Sequence, residues 1–479
     1  MQKSTVYRRK FFDLPILYFF LPFVMFHCSS MPPGKQAPRV HTAQEASGPD
    51  ISEPAPNPVL SRAGVSLSSE RLLRREYKLP AAPPGRNLRV VALYFKTADD
   101  RFDGSAPGYS DTLRCQIQRW PTTSPAPLWQ GELLIPTPYD PVTVHRDTAA
   151  FPASLTTYFF HISAGKLWLY GDEVAYTGPP VRRAKTKKQW RQNNRRVIQW
   201  FVDNHDTRPY DNDGDGAIDM LMLISRARSK FAYGAGKKGH YQGVSNGDFL
   251  PAGVRIADMR DPGKPVFRGH GSIMRNSGIY QTDCYSLNSR PIIIHEIGHL
   301  LMGPGHFNGL RRWNLMSGAG RNAPARSGVV PGAWEKMRLG WLQPFVVTQS
   351  QQDFLLRDLT GFNEALKVPL KSGSYFLLEY RRNRHRFEKT PDAFCPDQNL
   401  PREGLVISFA SARGEPVLRK FFPLRQLRRA ARSRRFLHLG PKTRPGTSGW
   451  RGRETGIAFR NIRLAEDGVR LDIILPEER

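Results

Sequence analysis

Cysteine is scarce, acidic residues are outnumbered, and no apolar run is long. Only Cys28, Cys115, Cys284 and Cys395 occur in 479 residues, and none is in CxxC spacing. A zinc ribbon, a CxxC redox centre and a disulfide-dense scaffold are therefore excluded. In an oxidising compartment one pair among Cys115, Cys284 and Cys395 could bridge and one would be left over; spacing does not say which. Lys and Arg number 71 against 42 Asp and Glu, a net charge of +29. The longest apolar run, LPILYFFLPFVMF at 14–26, is too short for a comfortable membrane span. No internal repeat is apparent.

What stands at the N-terminus is a basic stretch, MQKSTVYRRK, followed by that run. The pair predicts a signal peptide over 1–28 and export. Cys28 comes directly after the run and before a Pro-, Gly- and Ala-rich stretch, as in bacterial lipoproteins, yet Met25, Phe26 and His27 are bulky where that signal prefers small residues. Lipid attachment at Cys28 and plain cleavage with secretion both stay open, so the chain is expected to be secreted or held at the cell envelope. Residues 29–85 are polar and Pro-rich, and a disordered tether is expected there. The remainder is globular: the whole chain is 39% hydrophobic and 11% aromatic.

Residues 295–306 read HEIGHLLMGPGH. On a helix, His295 and His299 project from one face one turn apart, as two ligands of a tetrahedral zinc require. Glu296 falls on the adjoining face, where a carboxylate can act as general base on a zinc-held water without becoming a ligand. The lead-in Pro291, Ile292, Ile293, Ile294 suits a helix buried under a cleft. A bare HExxH is a weak signal, but ten positions past His306 Met316 stands in a Ser- and Gly-containing turn, NLMSGAG, like the methionine turn beneath the metal in metzincin proteases. His306 is the candidate third ligand.

Upstream, DNDGDGAID at 211–219 places Asp211, Asp213, Asp215 and Asp219 at loop positions 1, 3, 5 and 9, with Gly216 at position 6. Such alternation makes an oxygen cage for a structural calcium. Position 12 is Met222 and not a bidentate Glu, so a further ligand is needed, with Asp203 and Asp206 as candidates.

In order and detail these segments resemble the immune-inhibitor-A-type secreted metallopeptidases. LRVVALYFKTADDRF at 88–102, TTYFFHISAGKLWLYGDEV at 156–174, the 211–219 loop, NLMSGAG, and PGAWEKMRLGWLQP at 331–344 are similar to successive parts of that family. So are SGSYFLLEYR at 372–381, EGLVISF at 403–409 and TGIAFRNIRLAEDGVRLDI at 455–473. The likeness covers roughly 86–475. One departure stands out. The family writes HExxHxxGxxD, and the place of its third ligand is here Gly305; the next residue is His306. The helix-ending glycine, Gly303, has moved by the same single residue, so the glycine-to-ligand spacing of three is kept, as if one residue were inserted near Leu301 or Met302.

The resemblance implies an α/β zincin-like catalytic domain, a mixed sheet plus the active-site helix, over 86–344. A β-sandwich-like C-terminal module over 345–479 follows, from its Val/Ile/Leu/Phe strands. A helix is expected over 186–204, where Trp190, Val197, Ile198, Phe201 and Val202 recur near helical spacing. Residues 86–180 alternate strand-like runs with turns, and 227–290 is irregular. Basic clusters at 181–196 and 418–435 suggest a surface for anionic polymers such as acidic glycans, lipopolysaccharide, anionic lipid or nucleic acid; a solvated basic face explains them equally plainly. The expected function is an exported, monomeric zinc endopeptidase acting on proteins or peptides. The alternative is a catalytically inactive zincin-fold adhesin or polyanion binder. A nucleic-acid protein with an incidental HExxH is disfavoured by the signal peptide.

Overall fold

Strand alternation builds the sheet on which the site rests. In Asn87–Lys96, Val90, Ala92 and Tyr94 enter one core while Val91, Leu93 and Phe95 enter another. Met220–Arg226 repeats this, with Met220, Met222 and Ile224 opposite Leu221 and Leu223. Period-2 side-chain direction makes both faces of such a sheet apolar and in need of cover. Its strand order is Trp168–Ala175, Asn87–Lys96, Met220–Arg226, Ser272–Asn276, Val244–Asn246, parallel throughout except for the last, antiparallel pair. The computed structural model from which this comes describes residues 65–67, 87–99, most of 120–226, 244–246, 254–268, 272–276, 290–302, 306–316 with gaps, 330–382, 387 and most of 403–476.

Helices cover the sheet on both sides. Lys187–Asn204 begins at Thr186, whose hydroxyl accepts from the Gln189 N–H at 3.1 Å. It lays Trp190, Val197, Ile198, Phe201 and Val202 against Val91, Leu93, Leu221 and Leu223, as its spacing predicts. On the other face, Leu155–Ile162 and Arg290–Met302 share a core with Val90, Tyr94 and Met222. Arg290–Met302 packs on the two strands at the antiparallel edge, Ser272–Asn276 and Val244–Asn246.

Beyond residue 344 two further sheets face one another. One has six strands in the order Val65–Leu67, Phe345–Val347, Leu366–Pro369, Tyr375–Arg381, Gly404–Ala410, Val417–Pro423. The other has four: Gln351–Arg357, Gly468–Ile474, Ala458–Leu464, Leu437–Leu439. Phe376 and Phe409 from the first and Phe354, Phe459 and Leu471 from the second lie in one core. The architecture is thus mixed α/β, with several sheets, mixed ones among them, and few helices. Val65–Leu67 lies within the stretch read as tether, yet pairs antiparallel with Phe345–Val347. The rest of 29–85, the stretch 1–28 read as a signal peptide, with Cys28, and Cys115, Cys284 and Cys395 lie outside the described residues. Among the described residues no helix is long and apolar enough to cross a membrane.

Candidate metal centre

Three histidines converge at the end of the helix Arg290–Met302. The ligand atoms of His295, His299 and His306 all lie within 4.8 Å of one another. His295 and His299 are buried on the helix, and His306 is exposed beyond its C-terminus. The Nδ1 of His295 is 2.7 Å from the Leu315 carbonyl oxygen. A carbonyl cannot donate, so Nδ1 carries the proton and Nε2 presents a lone pair. That lone pair faces His306 Nε2 at 3.2 Å. Metal–nitrogen bonds of about 2.0–2.1 Å in a tetrahedron put ligand nitrogens roughly 3.3 Å apart, so this pair fits a shared cation of zinc's size. The donor set, three imidazoles, could bind a metal ion. Glu296 follows His295 on the helix; its side chain, and residues 303–305, lie outside the described residues.

Burial keeps His295 neutral, lowering its pKa to about 4 against the lift from the Leu315 carbonyl. Desolvation lowers His306 as well, although the residue is largely exposed. A folded pKa below the unfolded one means stability present above pH 6.5 and lost as pH falls through about 4. In metal-free protein the His295 ring resonances are expected to titrate near pH 4 by NMR; a midpoint at 6.5 would contradict the neutral, buried ring.

The floor of the site is the turn holding Met316. Gly298, between the two helical histidines, allows that turn to come close: a Cβ there would stand 2.3 Å from Met316 Sδ. The Phe307 N–H donates to the Met316 carbonyl at 2.8 Å, which ties the residue after His306 to the same turn. Beneath it runs the short helix Ala333–Arg338. Its Glu335 accepts from the backbone N–H groups of Leu315 and Met316, both at 2.7 Å. Complete burial pushes the Glu335 carboxyl up to about 7, against the pull of its N–H donors and Arg381. At the other end Arg338 donates to the Met302 carbonyl at 3.1 Å, satisfying an orphan acceptor at the C-terminus of the histidine helix.

The acidic loop forms a second group. Asp211, Asp213 and Asp215 bring carboxylate oxygens within 4.8 Å of one another. Gly214 and Gly216 make the turn with φ of +73° and +78°, a region open to glycine. Asp219 is placed outside this group: its carboxylate accepts from the Asn212 N–H at 2.6 Å and from Asn212 Nδ2 at 3.0 Å. Burial raises the Asp219 pKa, with the Asn212 hydrogen bonds pulling against it. Asn212 also exchanges hydrogen bonds with the backbone of Arg89, which pins the loop to the central strand. Asp203 accepts from Gln199 and Asp206 pairs with Arg208, so neither joins the group.

No protein-family model matches the chain, and no curated protein matches it.

Glu335, Arg338, Gly298 and Asn212 were not singled out from the sequence. Gly298 carried a signal, a glycine inside a helical motif, which marks close approach. The other three act on backbone groups remote in sequence, and nothing local reveals such partners.

Proposed function

We propose that the chain is an exported zinc endopeptidase that hydrolyses protein or peptide substrates. The observation that carries this is the convergence of three imidazoles, two of them on a helix whose sequence also includes Glu296, with His295 Nε2 and His306 Nε2 3.2 Å apart. A zinc ion on these nitrogens would act as a Lewis acid on a peptide carbonyl and acidify a bound water. Glu296 takes a proton from the attacking water and passes it to the leaving amine. His295 keeps its proton on Nδ1, against Leu315, and so offers Nε2 throughout. The antiparallel edge strand Val244–Asn246, on which the histidine helix packs, offers backbone groups to an extended peptide. The first sheet with its helices serves as the zincin-like domain, and the paired sheets serve as its C-terminal module.

Purified full-length chain should cleave casein, lose that activity to a chelator and regain it with stoichiometric zinc. Cleavage that is indifferent to chelation, or absent from zinc-loaded protein, would overturn the proposal.

The loop 211–219 takes calcium as a structural ion, through Asp211, Asp213 and Asp215, with Asp219 and Asn212 holding the cage to the sheet. A site-bound ion at about a hundred times its Kd contributes about 2.7 kcal/mol to the folded state. Asp213→Ala or calcium withdrawal is therefore expected to lower the melting temperature by several degrees. An unchanged melting temperature across a calcium titration removes the claim.

A second reading, an inactive binder of anionic polymers, is favoured by one feature. The helix Leu424–Arg432 buries Leu424, Leu427 and Ala430 and exposes Arg425, Arg428, Arg429 and Arg432 along one side. Among the described residues none of these four has an ion-pair partner. Metal-free protein that retains dextran sulfate binding and lacks any peptidase activity with zinc would favour that reading.

A further inference from the structure

A hydrogen-bonded chain runs from a buried carboxylate to the ring of His295 across one peptide unit. Glu335 Oε1 accepts the Met316 N–H at 2.7 Å. The carbonyl of that same peptide belongs to Leu315, and it accepts the proton on His295 Nδ1 at 2.7 Å. Glu335 Oε2 takes the neighbouring Leu315 N–H at 2.7 Å and the Gly332 N–H at 2.9 Å, so the carboxylate grips both peptides of the turn and the start of its own helix. The side chain is fully buried. Both Glu335 oxygens accept N–H groups, the geometry of an ionised carboxylate, and above its raised pKa of about 7 such an acceptor polarises the whole amide and makes its carbonyl a stronger acceptor. The usual arrangement of a metal-ligating histidine has a carboxylate or carbonyl directly on its second nitrogen; here the carboxylate stands one peptide further away.

The peptides on either side of Glu335's partners are in turn held from the six-stranded sheet. Arg381, at the end of strand Tyr375–Arg381, donates to the Trp313 carbonyl at 2.9 Å and to the Pro331 carbonyl at 3.3 Å. Its Nε donates to Glu379 at 3.0 Å, and Glu379 accepts the Ala333 N–H at 2.6 Å. Trp313, just before the methionine turn, and residues 331 and 333, at the start of the helix Ala333–Arg338, are thereby tied to one strand of the six-stranded sheet.

We infer that Glu335 is a positioning residue for the metal, acting on His295 through the Leu315–Met316 peptide. The inference rests on reading the three histidines as a metal site. It implies that the six-stranded sheet, through Glu379 and Arg381, is part of the metal centre's support.

The test uses the full chain and cobalt(II) as the probe, with three proteins: wild type, Glu335→Gln and Glu173→Gln. Glu173 is a fair control, because it is a partly buried carboxylate bound likewise by three backbone N–H groups, those of Gly131, Leu133 and Leu134, on the strand at the opposite edge of the sheet. In Glu335→Gln the amide NH2 faces a backbone N–H, so one peptide of the turn loses its acceptor. Cobalt affinity is expected to fall about 10–100-fold in Glu335→Gln. It should stay near wild type in Glu173→Gln, even where that protein loses as much thermal stability. In metal-free Glu335→Gln the His295 Nδ1–H proton resonance should move upfield, which a purely structural role would not cause. Unchanged cobalt affinity and an unmoved Nδ1–H signal would overturn the inference and leave the metal site standing. No cobalt bound by wild type would overturn both. If Glu335→Gln does not fold, Glu335→Asp, which keeps the charge one methylene short of the turn, takes its place; wild-type affinity there would equally overturn the inference.

Discussion

His306→Ala is expected to lower zinc affinity by more than about 100-fold, since even outer partners of metal ligands are worth about 10–100-fold. His306→Asp should restore part of the loss, because a carboxylate is the ligand used in the metallopeptidases that the sequence resembles. An added residue in a helix turns everything after it by about 100°, so a lengthened helix end keeps its third ligand only if the change is absorbed locally. Both sides of that point are fixed. Arg338 holds the Met302 carbonyl, and the Phe307 N–H is bound to the Met316 carbonyl. Phe307 is wedged further by Trp334, its ring centroid 4.7 Å away, and by the Arg338 guanidinium over its face. No acidic residue occurs from 297 to 334, so no nearby carboxylate can stand in for the lost imidazole. Wild-type affinity in His306→Ala, measured by competition with a chromogenic chelator, would mean that two histidines are completed by a remote group.

Glu296→Gln should keep one zinc per chain while turnover falls by roughly 10²–10⁴, the range associated with a general base. Gln preserves size and hydrogen bonding but cannot take the proton. Metal content and casein turnover measured on the same sample separate the two roles: loss of zinc together with activity would make Glu296 a structural or ligating group, and unchanged turnover would remove it from the chemistry.

Much of the scaffold was legible because it is periodic. The helix over 187–204 shows its buried stripe in sequence, and the parallel strands show apolar runs suited to burial on both faces. The three histidines were legible because two share a helical repeat and the third keeps its distance from a glycine. Periodicity reports which face of an element is buried, and not what it meets. Glu335 looked like one more charged residue in AWEKMR, yet it lies beneath the turn with three backbone donors. The helix Leu424–Arg432 was hidden inside a strand-rich region, although Leu424, Leu427 and Ala430 recur every three residues among arginines. Val65–Leu67 is a three-residue apolar alternation inside a polar stretch; it pairs with Phe345–Val347, far along the chain, a contact that only the folded chain supplies. Asp219 has the loop spacing of a ligand, and one of its oxygens, Oδ2, accepts both the Asn212 N–H and Asn212 Nδ2, a partner that spacing alone does not show.

Zinc K-edge absorption on the purified, zinc-loaded chain tests the centre most directly. Three imidazole nitrogens at about 2.0–2.1 Å and one oxygen of water are predicted, with one nitrogen lost in His306→Ala. A shell with two imidazoles in the wild type, a sulfur ligand, or a spectrum unchanged by His306→Ala would contradict the three-histidine site.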